Sequence, residues 1–293
     1  MFPFPLLNTP IPIINKNIVK KKIIFIFMEF ISLASVNMEY GNRNSKLIKE
    51  RSEVIMHKDP DLILIQESNL ECINFENKYK LVEYHDRKIK EKMDIFLKRE
   101  SNWELNSIFD FVSELGYVKR ICKIIEVRSK KTGRKIRIAN IHLIGGRFEE
   151  NDKIGKMLIG NIKTIRERKN EIIDRLVKEY NIDIIGGDFN SDLNCYLNNG
   201  MIQEQHLNFM KKISPKKDLE IYQEWNVAPY NYLKRNNYIL SIGDVIENTS
   251  LFENHPDSIW FKDKFYQKEY GYIDLLSNNL SDHNGIFVNL KLK

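Results

Sequence analysis

Short, mostly apolar runs that each meet a polar or acidic residue constrain this chain more than any other feature. FISLASV runs into Asn37, DLILI into Gln66-Glu67, and the run Ile182–Ile185 into Gly186-Gly187-Asp188. DSIWF opens on Asp257, and GIFVNLKL follows Ser281-Asp282-His283. Apolar runs of this length bounded by turn formers read as buried strands.

The segments between them supply the other elements. Ser45–His57 carries Leu47, Ile48, Val54 and Ile55 at helical spacing, which makes residues 30–65 a strand–helix–strand unit. Tyr79–Tyr84, Met93–Leu97 and Cys122–Arg128 have strand character, and the turn Ser129-Lys130-Lys131-Thr132-Gly133 leads into Lys135–Leu143 as a hairpin. Ile162–Tyr180 predicts an amphipathic helix with Ile165, Ile172, Ile173, Leu176 and Val177 on one face. Helices alternating with strands, many of them in hairpins, predict an α/β body with sheet packed on sheet and helices outside.

No linker divides residues 28–293, so they are expected to form a single domain. Residues 1–27 contain Pro3, Pro5, Pro10 and Pro12 and the triple lysine 20–22 ahead of an apolar stretch. That stretch is interrupted by Glu29 and is shorter than the roughly 20 residues a membrane span needs. The expectation is a poorly ordered N-terminal extension at 1–27, with no transmembrane segment.

Of the 293 residues, 42% are hydrophobic and 29% charged, a composition that excludes a disordered or membrane-embedded chain. Lys and Arg number 46 against 40 Asp and Glu; the resulting +6 mildly favours a polyanionic partner such as DNA or RNA. Cys72, Cys122 and Cys195 are far apart and lack C-x-x-C spacing. That argues against disulfides and thiolate metal sites, and for an intracellular setting, cytoplasmic or nuclear rather than secreted. No feature calls for an obligate protein partner.

A lone Asp after a strand is ordinarily a turn or cap residue. An ordered set of such residues asks for another explanation. Glu67, Asp188 and Asp282 supply carboxylates, Asn37 and Asn190 amides, and His142 and His283 imidazoles, all at strand ends. Hard oxygen donors of this kind suit Mg²⁺ or Mn²⁺, which keep waters for a substrate phosphate. Such a cation could offset phosphate charge while the amides and imidazoles donate hydrogen bonds to it.

The motifs SVN at 35–37, LIQE at 64–67, NIHL at 140–143, GGDFN at 186–190 and SDH at 281–283 resemble, in order, those of the endonuclease/exonuclease/phosphatase superfamily. The resemblance implies a DNase I-like four-layer α/β sandwich, two packed mixed β-sheets flanked by helices, with a metal-dependent phosphoesterase site at one end. It implies Glu67 as the main metal ligand, with Asn37 beside it and Asp282 as a second carboxylate near the metal. It further implies that Asp188 and Asn190 orient the attacking water and the phosphate, that His142 contacts the phosphate, and that His283 does so while oriented by Asp257. Asp188 and His283 both stand as candidates for the general base.

The substrate expectation is a phosphodiester of nucleic acid. The stretch EWNVAPYNYLKR offers Tyr230 and Tyr232 for base stacking and Lys234 and Arg235 for phosphate contact. Rival readings are an inositol-phosphate or sphingomyelin-type phosphoesterase and a catalytically dead nucleic-acid-binding scaffold. The remaining histidines, His57, His85, His206 and His255, read as surface residues.

Overall fold

The computed structural model describes residues 28–38, 45–68, 74–75, 77–82, 93–115, 118–143, 162–204, 208, 219–251 and 254–293. The expected extension at 1–27 lies outside them, as do Cys72, His85 and His206.

One six-stranded sheet contains, edge to edge, β11 (Phe265–Ile273), β12 (Gly285–Leu292), β1 (Phe30–Asn37), β2 (Leu62–Gln66), β4 (Asp94–Lys98) and β3 (Tyr79–Leu81). The other contains β5 (Trp103–Leu115), β6 (Val118–Ser129), β7 (Lys135–His142), β8 (Ile184–Asp188), β10 (Asp257–Lys262) and β9 (Tyr238–Leu240). Each sheet has one parallel pair, β1 with β2 and β7 with β8, among antiparallel neighbours. A parallel pair needs a crossover between its strands. Helix α1 (Ser45–His57) lies in the first crossover and α2 (Ile162–Lys178) in the second. The short α3 (Leu193–Leu197) and the longer α4 (Leu219–Arg235) follow β8.

Apolar side chains sort the molecule into layers. Ile31 and Leu33 of β1 and Leu62 and Leu64 of β2 meet Ile136 and Ile138 of β7, Ile184 of β8 and Ile259 of β10 between the sheets. Ala34, Val36 and Ile63 on the opposite face of the first sheet pack with Ile55 of α1. Ala139, Ile141 and Ile185 of the second pack with Ile172, Ile173 and Leu176 of α2 and with Tyr230 and Leu233 of α4. The order is helix, sheet, sheet, helix: the expected four-layer sandwich. Each fully buried aliphatic side chain contributes about 1.5–3 kcal/mol.

The pole at which β1 begins is closed by a latch. The buried Glu29 carboxylate accepts from the hydroxyls of Ser129 and of Thr132 (2.7 Å) in the β6–β7 turn, with Arg134 3.9 Å away. Trp103 Nε1 donates to Phe30 O at 2.8 Å. Both contacts join one sheet to the other at the end where β1 enters.

Several elements exceed or correct the sequence expectation. The hairpin of β5 and β6 is far longer than Cys122–Arg128, and β9 and β11 were not anticipated. Strand β11 is the edge of its sheet and carries the polar run Gln267-Lys268-Glu269 in its middle, with Lys268 and Glu269 exposed. Residues 224–235, the aromatic–basic stretch EWNVAPYNYLKR, belong to α4 despite Pro229. Proline normally breaks a helix interior. Here Asn226, Tyr230 and Leu233, spaced as one helical face, are all buried, and that packing outweighs the break.

Candidate active site

Strand parity decides where the polar ends point. Successive side chains of a strand face opposite sides. Ile31 and Leu33 face the other sheet, so Ser35 and Asn37 continue on that face; Leu62 and Leu64 give the same direction to Gln66. By the same count His142 follows Ile136, Ile138 and Asn140, Asp188 follows Ile184 and Gly186, and Asp257 precedes Ile259 and Phe261. The space between the sheets is therefore apolar for most of its length and changes to amides, carboxylates and imidazoles at one pole.

Register brings these ends level. Asn37 pairs with Gln66 across β1 and β2, His142 with Asp188 across β7 and β8, and Asp188 with Asp257 across β8 and β10. Gly187, at φ +146°, is required there: a Cβ would lie 1.9 Å from Ile141 O of the neighbouring strand. Asn190 turns the chain with φ +46°, and its backbone N–H donates to Asp188 Oδ1 at 2.6 Å. Its side-chain amide donates to Leu143 O at 2.8 Å, tying the turn to the end of β7.

Two groups of contacts meet at Asp188. In the first, Asn37 Nδ2 lies 3.1 Å from Asp188 Oδ2 and 3.4 Å from Glu67 Oε1. His142 Nε2 lies 3.6 Å and 3.8 Å from the same two oxygens. In the second, His283 Nδ1 is 2.8 Å from Asp257 Oδ2, which also accepts from Thr249 Oγ1 at 2.8 Å. Ligand atoms of Asp188, Asp257 and His283 all lie within 4.8 Å of one another, which joins the two groups. Ser281 Oγ donates to Asn37 O at 2.8 Å and accepts from His283 N at 3.2 Å, so the segment that carries His283 is anchored to β1.

This crowding of acids sets the charge of the imidazole. Burial disfavours the charged ring, but the Asp257 carboxylate beside it, with Asp188 and Asp282 beyond, outweighs burial and pushes the His283 pKa up to about 10. Burial also raises Asp257, and His283 opposes that rise. At neutral pH the proton between the two belongs on the ring, giving an imidazolium that faces three carboxylates.

Asp282 is half-buried, with its backbone carbonyl accepting from Leu251 N at 3.0 Å, and its carboxylate adds to the field at His283. Asn37, Glu67, His142, Asp188, Asn190, Asp257 and His283 are thus linked by contacts, with Asp282 adjacent in the chain.

The residues expected to bind substrate lie elsewhere. Tyr230 is fully buried, stacked on Trp260 at 5.7 Å, and its hydroxyl donates to Ser191 O at 2.5 Å, so its ring cannot meet a base. The Tyr232 hydroxyl is bound to Asp174 of α2. Lys234 and Arg235 are exposed, but α4 ends just before β9, where Tyr238 pairs with Lys262 at the end of β10 remote from Asp257. The six-residue β10 separates that end from the site by roughly 17 Å at about 3.3 Å per residue. Helical structure, invisible behind Pro229, carries the basic pair to the wrong pole.

Other residues brace this pole, and the sequence motifs assign them no role. Gln66 Nε2 donates to Asn140 Oδ1 at 2.6 Å across the gap between the sheets, and Asn140 Nδ2 donates to Ile65 O and Asp94 O at 2.9 and 3.0 Å. Lys169 of α2 is fully buried, its ammonium 2.7 Å from Asn190 O and 2.9 Å from Ser191 Oγ behind the turn. A lysine within an apolar helical face is the signal that could have flagged it. His57 is exposed as expected. His255 is not: it is buried, its ring 6.0 Å from that of Tyr272, and burial lowers its pKa to about 4 against the pull of Glu247 and Asp257 backbone groups.

No protein-family model matches the sequence, and no curated protein matches it either. Solved structures match in fold. An endonuclease/exonuclease/phosphatase family protein from Bacteroides thetaiotaomicron gives a TM-score of 0.61 at 16% identity, covering 91% of this chain and 99% of that one. A mannosyl-6-phosphatase from the same organism gives 0.58 at 16% identity, over 89% of this chain and 99% of that one. The endonuclease domain of TRAS1, a telomere-specific non-LTR retrotransposon, gives 0.52 at 14% identity, over 90% and 99%. The two-sheet sandwich is the fold of these proteins.

Proposed function

We propose, from the sandwich shared with endonuclease/exonuclease/phosphatase proteins, that this chain is a divalent-cation-dependent phosphoesterase. The observation that carries the proposal is the convergence of Glu67 from one sheet with Asp188 and His142 from the other, with the Asp257–His283 pair adjoining them. Packing carboxylates together in a buried pole opposes folding unless a cation or proton offsets them.

The donor set fits Mg²⁺ or Mn²⁺. Glu67 and Asp188 present oxygens to the same Asn37 amide, the Asp282 carboxylate acts on neighbouring His283, and Cys122 and Cys195 are buried away from disulfides. In our reading Glu67, Asn37 and Asp282 hold the ion. When bound, the ion offsets phosphate charge and polarises a phosphoryl oxygen. The protein supplies the remaining chemistry. The Asp257 carboxylate beside His283 favours its imidazolium, which has no lone pair to take a proton, and this supports Asp188 as the base. His283 and His142 donate to the phosphoryl oxygens, and Asn190 retains an amide N–H beyond the one given to Leu143.

For substrate we propose a nucleic-acid phosphodiester, in an intracellular enzyme. The +6 net charge and the shared fold with an endonuclease domain support that class; the wide spacing of the three cysteines supports the compartment. A second reading, a small phosphorylated substrate such as a sugar or inositol phosphate, is favoured by one observation: Tyr230, Lys234 and Arg235 do not line the site. No helix among the described residues is long and apolar enough to cross a membrane.

Hydrolysis of bis-p-nitrophenyl phosphate, abolished by EDTA and restored by Mg²⁺ or Mn²⁺, is the expected result. A folded protein inactive with both ions on this ester, on DNA, on RNA and on inositol phosphates would leave only the scaffold reading. Comparing turnover on oligonucleotides and on inositol phosphates decides between the two substrate classes.

A further inference from the structure

Glu67 sits on a backbone that L residues avoid, with φ +49°. Such conformations at functional sites persist only where the surroundings over-determine them. On the N-terminal side, Gln66 is held by Asn140 at 2.6 Å, and its carbonyl accepts from Met38 N at 3.0 Å. On the C-terminal side, the buried Ser68 donates its hydroxyl to Asp94 Oδ2.

Asp94 is itself an unusual anchor. It opens β4 opposite Ile65, and its other oxygen lies 3.4 Å from Lys123 Nζ. Their side chains are 12% and 13% exposed. Lys123 shares the parity of Ile125 and Val127, so it projects from β6 into the layer between the sheets. Asp94 shares the parity of Phe96, but it stands at the first position of β4, where the Lys123 ammonium reaches its carboxylate from the other sheet. A carboxylate accepts more strongly than a neutral oxygen, and a buried one needs a nearby cation. This pair crosses the same gap that separates Glu67 from Asp188 and His142.

We infer that the Asp94–Lys123 ion pair, acting through the Ser68 hydroxyl, is a positioning device that fixes the backbone at Glu67 and so sets how tightly the site holds its divalent cation. The inference rests on the phosphoesterase reading and deepens it. Asp94, Lys123 and Ser68 are positioning residues, outside the set assigned to substrate or ion.

The test is calorimetric titration of the full chain with Mn²⁺, for wild type, Ser68→Ala, Ser68→Thr, Asp94→Ala and Lys123→Met. Loss of such outer support weakens metal sites by about 10–100-fold. We expect Ser68→Ala and Asp94→Ala to raise the Mn²⁺ Kd by about tenfold, at the lower end of that range, and Lys123→Met to raise it less. Ser68→Thr, which keeps the hydroxyl, should restore it. In turnover the change should fall on the Mn²⁺ concentration for half-maximal rate more than on kcat. Ser68→Ala removes one atom and keeps the test open if Asp94→Ala does not fold. Wild-type binding with an equal Kd in folded Ser68→Ala overturns this inference alone; a wild type that binds neither Mn²⁺ nor Mg²⁺ overturns the phosphoesterase reading with it.

Discussion

The two poles of the sandwich both bury a carboxylate between the sheets, and they use it differently. At the pole where β1 begins, Glu29 faces two hydroxyls and the Arg134 guanidinium, so a single acid closes the layer. At the other, Asp188, Asp257 and half-exposed Glu67 crowd around His142 and His283. That lone carboxylate has its counter-charge beside it, with Oε1 accepting from both hydroxyls and the Arg134 guanidinium 3.9 Å from the buried Oε2. Several acids sharing two imidazoles are complete only with a cation or an anionic substrate held by its donors. The contrast teaches that burial alone does not mark a site; like charges drawn together across register do.

Asp188→Asn should break the comparison most strongly. Loss of the assigned base should lower kcat by about a thousandfold. Relief of like-charge crowding should leave the cation-free thermal midpoint at or above that of wild type, as expected where activity and stability trade off. Turnover and calorimetry on one preparation check both halves. Near-normal kcat in this variant would remove Asp188 from the chemistry.

The two buried histidines sharpen the contrast next. His283 stays charged because acids surround it, while His255 stays neutral against Tyr272. An unfolded histidine titrates near 6.5 and folded His255 near 4. As pH falls the unfolded chain takes up the proton first, so this contribution is present above about 6.5 and is lost by about pH 4, amounting to about 3 kcal/mol. His255→Phe should flatten that acid limb in urea melts compared at pH 7 and 4.5. An unchanged limb would show that other groups govern acid stability.

Much of the site was legible because it sits on strand ends. An apolar run that stops at a polar residue marks a strand end, and Asn37, His142 and Asp188 stand at such ends. These strands are buried on both faces, so which face each end inherits appears only once the sheets are packed. The contacts that hold the site were less legible. Gln66–Asn140 and Asp94–Lys123 join strands of different sheets, and no local pattern states which strands will face each other. Helix α4 was hidden by Pro229, whose local penalty is overridden by tertiary burial of Tyr230 and Leu233. His255 was misjudged because burial in a loop leaves no periodicity to read.

At the closing pole, Glu29→Ala should remove charge-assisted bonds to Ser129 and Thr132 and cost about 2 kcal/mol of stability. It should leave kcat on bis-p-nitrophenyl phosphate where it was, since the latch lies at the opposite end of β1. A matching loss of kcat in the folded fraction would mean that the poles are coupled through the sheets.

The smallest effect is expected from Lys234→Ala/Arg235→Ala. Both side chains are exposed at the end of α4, beyond the Lys262 end of β10, so a short oligonucleotide in the site does not reach them. Removing two exposed cations there should change KM for such a substrate by less than about twofold, because screening leaves little attraction beyond a Debye length of about 8 Å at physiological salt. Kinetics with short and long oligonucleotides distinguish the cases. A rise in KM confined to the long substrate would show that nucleic acid extends around the molecule to the far pole. A rise with the short one would place these residues at the site and contradict the register of β9 and β10.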